Sequence, residues 1–185
     1  MTKNKRQELI EMVLYILNKT GGTDIYHLFK ILYFAEQRHL LEWGIKMVPD
    51  DFHAYEYGPV PDQLYKAING NDKYGKELPR LFEETIRFAG QDAPNVLLAK
   101  RDANMDWLSA AAVECLDASI EDNIWLSFAQ LMAKSHDKAW SEARESAQAG
   151  LGDVMTPSSI AMAAGADEGL QEYIKEQLEI DLALR

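Results

Sequence analysis

Residues 25–35 read IYHLFKILYFA, an apolar segment with the spacing of a buried helix. Four of its side chains fall on one helical stripe: Leu28, Ile31, Leu32 and Ala35. Thr23 is a suitable N-cap in front of the segment, and Gly44 is a stop signal behind it. The pattern therefore predicts a long central helix that begins after Thr23 and ends near Trp43.

The same periodicity predicts further helices on both sides of the central one. Thr156 followed by Pro157 marks one helix start, because threonine caps a helix and proline fits its first position. The predicted helices cover approximately the ranges Lys5–Lys19, Val60–Ile68, Glu77–Ala89, the residues from Asp106, Asn123–Lys134, Asp137–Ala147, the residues from Pro157, and Glu168–Leu184. Asn123 is the predicted cap of the helix that continues through Lys134. We therefore expect a mainly α fold, organised as a compact multi-helix domain.

Two short segments depart from the helical pattern. Phe52–Tyr57 alternates with a period of two and is rich in aromatic residues, and Val96–Lys100 is a second strand candidate. We expect the two to pair as a small two-stranded antiparallel β element covered by helices, because two strands alone are marginally stable. Gly58 and Pro59 are expected to end the first strand, since proline cannot donate to a ladder.

Gly150 and Gly152 mark a boundary late in the chain. We expect residues 1–150 to form the helical domain and residues 151–185 to form a C-terminal helical extension packed on it. No internal repeat or low-complexity tract interrupts this division.

Composition narrows the functional classes. The 185 residues carry a formal net charge of -11 without a dense basic cluster, which disfavours direct binding of nucleic acid and favours a basic protein partner. Cys115 is the only cysteine, and no segment has the pattern of a signal peptide or a membrane span. We therefore expect a cytoplasmic protein without a membrane contact.

Residues that carry chemistry show no catalytic or metal-binding pattern. The histidines His27, His39, His53 and His136 are scattered, so we predict no metal ligands and no cofactor. His39 falls on the buried stripe of the central helix and is interpreted as a hydrogen-bonded core residue, and Cys115 lies on an alanine-rich core stripe. We expect a protein that is not an enzyme. A small metal- or histidine-dependent hydrolase, built from His39, His136 and nearby carboxylates, is the alternative.

The most unusual local feature is the run Tyr55-Glu56-Tyr57-Gly58-Pro59-Val60-Pro61. Its prolines fix φ and its glycine is conformationally free, so a rigid corner is expected. The corner either serves structure alone or presents an aromatic recognition surface, because tyrosine is enriched at interface hot spots. On the second interpretation, the predicted partner-binding residues are Tyr55, Tyr57, Gly58, Pro59, Val60 and Tyr65.

The corner also carries a family resemblance. The chain resembles the Panacea domain, the SocA-like antitoxin domain that also occurs in phage-associated proteins, over approximately Lys5–Ala147. The segments that carry the resemblance are Lys30–Ala35, Gly44, Asp51–Val60, Tyr65 and Ser135–Trp140. Residues 150–185 cannot be placed within the family pattern.

The resemblance implies a mostly helical domain with a small β element. It also implies an antitoxin that neutralises a partner toxin by direct protein–protein binding, although a phage-derived adaptor or regulator without a toxin is the alternative. The family-motif residues are interpreted as structural: Lys30, Tyr33, Gly44, His136 and Trp140. The identity of the toxin and the oligomeric state stay open.

Overall fold

The computed structural model describes residues 1–183, so the predicted helix end at Leu184 lies outside the described residues. This part of the chain contains nine α-helices: α1 Lys3–Thr20, α2 Ile25–Trp43, α3 Asp62–Ile68, α4 Glu77–Thr85, α5 Ala110–Asn123, α6 Phe128–Ser135, α7 Lys138–Gln148, α8 Pro157–Ala163 and α9 Glu168–Ala183. It also contains six strands: β1 Thr23–Asp24, β2 Phe52–Tyr55, β3 Gly58–Pro61, β4 Ile86–Gly90, β5 Ala93–Ala99 and β6 Val154–Met155. The predicted mainly α class is confirmed.

The central helix α2 is buried along its predicted stripe. Leu28, Ile31, Leu32 and Ala35 are all 0% exposed, and α2 packs against α5, α6 and α8. Its N-cap is Asp24, whose side chain accepts a hydrogen bond from the His27 backbone, and not Thr23 as predicted. Thr23 lies one position too early to cap α2. Both Thr23 and Asp24 pair with β5, so strand β1 leads directly into the helix.

The β structure is larger than predicted and paired differently. Two three-stranded antiparallel sheets occur in residues 1–183, with strand orders β1-β5-β4 and β3-β2-β6. The predicted pairing of Phe52–Tyr57 with Val96–Lys100 is therefore wrong, since these segments lie in different sheets. Each segment instead forms a hairpin with its neighbour in the chain, which involves a shorter loop closure.

The Gly58-Pro59 corner, which was expected to end a strand, also begins the next strand, β3. Gly58–Pro61 forms β3 and pairs in register with β2, with Pro59 opposite Ala54 and Pro61 opposite Phe52. Two prolines are tolerated because β3 is at the edge of its sheet, where a missing N–H group removes no ladder bond. Helix α3 consequently begins at Asp62, and not at Val60 as predicted.

Three other predicted helix boundaries also shift. The helix expected over Glu77–Ala89 ends at Thr85, because the following residues pair with β5 as strand β4. Helix α5 begins at Ala110, since Ser109 provides its N-cap. Helix α6 begins after Ser127, which forms a capping box with Gln130, whereas the predicted cap Asn123 is the buried last residue of α5.

The C-terminal residues contact the rest of the chain in two ways. Strand β6 extends the hairpin sheet, because Met155 pairs with Phe52 and Val154 pairs with His53. Helix α8 packs on α2 and α7, and α9 packs on α8. The division of the chain at residue 150 stays a prediction.

Gly44 ends α2 in the left-handed conformation, with φ at 65° and its N–H bonded to the Leu40 carbonyl. A Cβ added there would lie 2.7 Å from the Tyr173 ring of α9. Gly21, which ends α1 with φ at 70°, would meet nothing within 4 Å. A residue with a side chain would therefore meet similar backbone strain at both positions, but only at Gly44 would it also disturb helix packing.

We expect Gly21→Ala to lower the free energy of unfolding by ~1–2 kcal/mol through left-handed strain alone. Gly44→Ala should cost a further ~1–3 kcal/mol, because the added methyl group overpacks against Tyr173. Urea unfolding of both variants measures the difference. Adding Tyr173→Ala to Gly44→Ala should reduce that further cost. Equal losses for the two glycine variants would contradict the packing role of Gly44.

Candidate functional site

An open groove of about 850 Å³ lies at the N-terminal end of α2. The residues around it come from β1, α2, the β2–β3 hairpin, α3 and its C-terminal end, β5 and the start of α6. Its lining residues are Asp24, Ile25, Tyr26, His27, Phe29, Tyr55, Glu56, Tyr57, Val60, Tyr65, Lys66, Asn69, Asn95 and Phe128. The groove therefore contains four of the six predicted partner-binding residues.

One wall of the groove is a cluster of three aromatic rings. The ring centroid of Phe128 is 4.4 Å from that of Tyr26 and 5.8 Å from that of Tyr57. Tyr57 and Phe128 are 54% and 47% exposed, so each still presents ring surface to solvent. We call Tyr26, Tyr57 and Phe128 the aromatic cluster.

A second wall of the groove contains tyrosines of the hairpin and α3. The Tyr55 and Tyr65 rings are 5.4 Å apart, and the Lys66 ammonium lies 5.3 Å from the centre of the Tyr65 ring. The Tyr55 hydroxyl donates to Asp62, and burial together with that carboxylate raises the pKa of Tyr55. Tyr55 is consequently held at both its ring and its hydroxyl, while Tyr57 is free at its outer face.

The backbone of the hairpin is fixed by helix side chains that bind its carbonyl oxygens. From α2, the Tyr26 hydroxyl donates to the Tyr57 carbonyl at 3.1 Å, and Lys30 Nζ donates to the Pro59 carbonyl at 2.9 Å. From α7, Trp140 Nε1 donates to the Tyr55 carbonyl at 2.8 Å, and Arg144 Nη1 donates to the Ala54 carbonyl at 3.2 Å. The corner is therefore held from two helices.

Lys30 is the unusual member of this set because it is buried and has no carboxylate partner within residues 1–183. Its side chain is 0% exposed, and its ammonium lies 4.6 Å from the centre of the Tyr26 ring. Burial lowers the pKa of Lys30 to about 7. Gly58 allows the close approach, since a Cβ there would lie 2.7 Å from both Lys30 Nζ and Ser135 Oγ.

His136 and Trp140 form the second support of the corner. Their rings stack with centroids 3.6 Å apart and an interplanar angle of 7°. The helix is not continuous between them, because α6 ends at Ser135 and α7 begins at Lys138. The buried Nε2 of His136 has no hydrogen-bond partner within residues 1–183, whereas the indole N–H of Trp140 donates to the Tyr55 carbonyl.

Gly58 and Pro59 are buried beneath the groove surface. Their predicted part in partner binding therefore concerns the shape of the corner and not direct contact. Tyr33 is also fully buried, and its hydroxyl donates to Asp137 Oδ2 at 2.7 Å. Asp137 is in turn the N-cap of α7, so Tyr33 helps to place the helix that carries Trp140.

The groups proposed for a hydrolase are not brought together. His39 is a core residue whose Nδ1 donates to the Ile45 carbonyl at 2.7 Å, as predicted, whereas His136 stacks on Trp140. No hydrogen bond or ring contact joins the two histidines within residues 1–183.

Burial raises the pKa of the Cys115 thiol to about 11. No group of three or more His, Cys, Asp or Glu residues in the described chain is placed to hold a metal ion.

Two members of the aromatic cluster, Tyr26 and Phe128, and the exposed Trp125 were not predicted from the sequence. Tyr26 lies one helical turn before the motif residue Lys30, and this spacing could have indicated that the two side chains are neighbours on α2. Phe128 had no such signal, because α6 reaches the hairpin only through the tertiary fold. Trp125 is 89% exposed in the α5–α6 loop. The same loop contacts a groove residue, because the Leu126 carbonyl lies 2.8 Å from His27 Nε2.

These features define a mainly helical domain with a small β element and an open aromatic groove. The model of the family described as antitoxin SocA-like, Panacea domain, matches residues 28–141, more than half of the chain. The chain belongs to this family, as the motif residues predicted. No curated protein and no solved structure matches the chain. No helix within residues 1–183 has the length and hydropathy required to cross a membrane.

We expect Lys30→Met to change how stability depends on pH. Because the pKa of Lys30 is lowered in the folded state to about 7 from 10.5, the unfolded chain binds more protons between those values. Stability of the wild type relative to Lys30→Met should therefore rise as the pH increases from 7 to 10. Urea unfolding at several pH values measures this difference. Lys175→Met, at an exposed position of α9, is the control. A stability difference between wild type and Lys30→Met that does not change with pH would contradict the prediction.

We expect Trp140→Phe to destabilise the fold by ~1–2 kcal/mol, because the part-buried Tyr55 carbonyl loses its donor while most of the ring remains. Trp125→Phe is the matched control, since Trp125 is 89% exposed, and should change stability by less than ~0.5 kcal/mol. Thermal or urea unfolding of both variants gives the comparison. Similar values for the two would show that the indole N–H does not support the corner.

Proposed function

We propose that this protein is an antitoxin that neutralises a partner toxin by direct binding, and that the groove is its contact surface. The observation that carries the proposal is the aromatic cluster, in which Tyr57 and Phe128 are 54% and 47% exposed above a fixed backbone. Family membership supports an antitoxin-type role. The proposed contact residues are Tyr55, Tyr57, Val60 and Tyr65, with Gly58 and Pro59 shaping the surface from below.

The rigidity of the corner favours binding. Four helix side chains already bind the carbonyls of residues 54, 55, 57 and 59, so little backbone entropy remains to be lost when a partner docks. Tyrosine rings add large contact areas and lose few rotamers, which is why they are common at hot spots. A prearranged aromatic surface of this kind suits recognition of another protein.

Charge indicates the character of the partner. The formal net charge of -11 favours association with a basic protein and opposes close approach of nucleic acid. We therefore propose a basic toxin as the partner and cytoplasmic action without a membrane contact. We also propose that residues 1–150 form the binding domain and that residues 151–185 are a packed extension.

A non-enzymatic role is part of the same proposal. The hydrolase alternative requires His39 and His136 to act together, yet each is engaged in a separate structural contact. Neutralisation by binding needs no such constellation, only a complementary surface. Metal in the purified protein, or hydrolytic activity lost in His39→Ala and His136→Ala, would contradict this part of the proposal.

The test uses the product of the reading frame adjacent to the gene as the candidate toxin. Co-expression of the wild-type protein should restore growth that this product inhibits, and the two should copurify. We expect Tyr57→Ala to weaken binding by roughly 30-fold or more, the loss of a hot-spot residue, while stability changes little. Growth rescue and calorimetric affinity, measured beside urea unfolding, separate binding from folding.

Trp43→Ala is the matched control, because Trp43 is 51% exposed and lies on the same helix as Tyr26 at its opposite end. Helix geometry places it ~25 Å from the aromatic cluster. This variant should keep full affinity. A harmless neighbouring product would argue against an antitoxin, and equal effects of Tyr57→Ala and Trp43→Ala would argue against the groove as the contact surface.

A further inference from the structure

Glu56 is an exposed carboxylate on the groove wall, at the tip of the β2–β3 hairpin. It makes no hydrogen bond and no ion pair within residues 1–183. Exposed carboxylates without a partner are ordinary on protein surfaces. This one is distinctive because the next residue is Tyr57, whose ring belongs to the aromatic cluster.

The aromatic cluster beside Glu56 presents ring surface that suits a cation. Tyr57 and Phe128 meet edge to face, with an interplanar angle of 61° and centroids 5.8 Å apart, and both rings are about half exposed. A cation above a ring face is attracted by the ring quadrupole, and a nearby carboxylate adds a charge-assisted hydrogen bond. The combination of ring surface and free carboxylate therefore recognises a basic side chain.

The other charged residues that line the groove determine which part of it favours a bound cation. Asp24 is already occupied as the N-cap of α2 and as the partner of His27 Nδ1 at 2.6 Å. Lys66 lies at the Tyr65 wall, 3.9 Å from Asp62, and repels a second cation from that wall. An incoming basic side chain is therefore directed to Glu56 and the aromatic cluster.

Trp125 provides further exposed apolar surface in the loop that precedes α6. It is 89% exposed and lies three positions before Phe128 in the chain. Its loop is held in place by the contact between His27 and the Leu126 carbonyl. A residue that flanks the basic side chain in a bound segment has an apolar surface available here.

Building on the proposed antitoxin function, we propose that the groove receives an arginine side chain from an extended segment of the partner protein. The guanidinium pairs with Glu56 and stacks on Tyr57 and Phe128, and an apolar neighbour packs on Trp125. Arginine fits better than lysine, because its planar group forms paired hydrogen bonds with a carboxylate and stacks on rings at the same time. The overall charge of -11 is complementary to such a segment.

The experiment selects random heptapeptides by display on the wild type, on Glu56→Lys and on Glu172→Lys. Glu172 is an exposed carboxylate of α9 outside the groove, so its variant makes the same change in net charge. Wild type and Glu172→Lys should enrich peptides that contain arginine beside an apolar residue. Glu56→Lys should lose this preference. Circular dichroism and urea unfolding confirm that all three proteins are folded.

The best selected peptide is then measured with arginine replaced by citrulline, which keeps the shape and removes the charge. Affinity for the wild type should fall by roughly 10- to 100-fold, as expected for a hydrogen bond between charged groups. The same replacement should not weaken binding to Glu56→Lys, because the carboxylate that pairs with the guanidinium is absent and the introduced lysine repels arginine. Lysine in place of arginine should bind the wild type with intermediate affinity.

The outcomes separate this inference from the proposed function. Selected peptides without a basic residue, an unchanged preference in Glu56→Lys, or no selected peptide at all would overturn the arginine site. The antitoxin proposal would still stand if Tyr57→Ala abolished growth rescue. If Tyr57→Ala instead kept full rescue while arginine peptides bound as described, the arginine site would stand and the groove would not be the surface that neutralises the toxin.

Discussion

The hydrogen bond from the buried Lys30 ammonium to the Pro59 carbonyl is the constraint on which the rest of the site depends. Lys30 is 0% exposed and has no carboxylate partner in the described part of the chain. Its buried ammonium group therefore needs other contacts, which the Pro59 carbonyl and the Tyr26 ring provide. That requirement fixes the hairpin tip against α2. It also explains Gly58, because any Cβ at this position would collide with the ammonium group.

One of the residues that hold the corner in place, Tyr26, also lines the groove above it. Tyr26 contacts Lys30 through its ring and the Tyr57 carbonyl through its hydroxyl, so the residue that shields the buried charge also lines the groove. On the other side, the stacked pair of His136 and Trp140 holds the Tyr55 carbonyl. Four family-motif residues, Lys30, Tyr33, His136 and Trp140, thus support the groove from beneath, and the tyrosines Tyr55, Tyr57 and Tyr65 line it.

Much of the fold could be predicted where a local signal agreed with the tertiary structure. The central helix, its buried stripe and its stop at Gly44 followed from spacing and from one glycine. Predictions failed where distant segments competed with local preference. Thr23 became a strand residue, and the residues after Thr85 left their helical pattern to pair with β5. A local sequence pattern contains no information on strand pairing with a distant segment of the chain.

The sequence by itself determined the mainly helical class, the acidic character and the rigid Gly58-Pro59 corner, because spacing, charge and proline geometry are local properties. Only the tertiary structure decided that the corner is a hairpin, that Lys30 is buried beneath it and that Phe128 joins Tyr26 and Tyr57. Phe128 lies more than 70 positions from Tyr57 in the chain. Their contact depends on how α6 packs against α2 and the hairpin, and that packing is a property of the whole core.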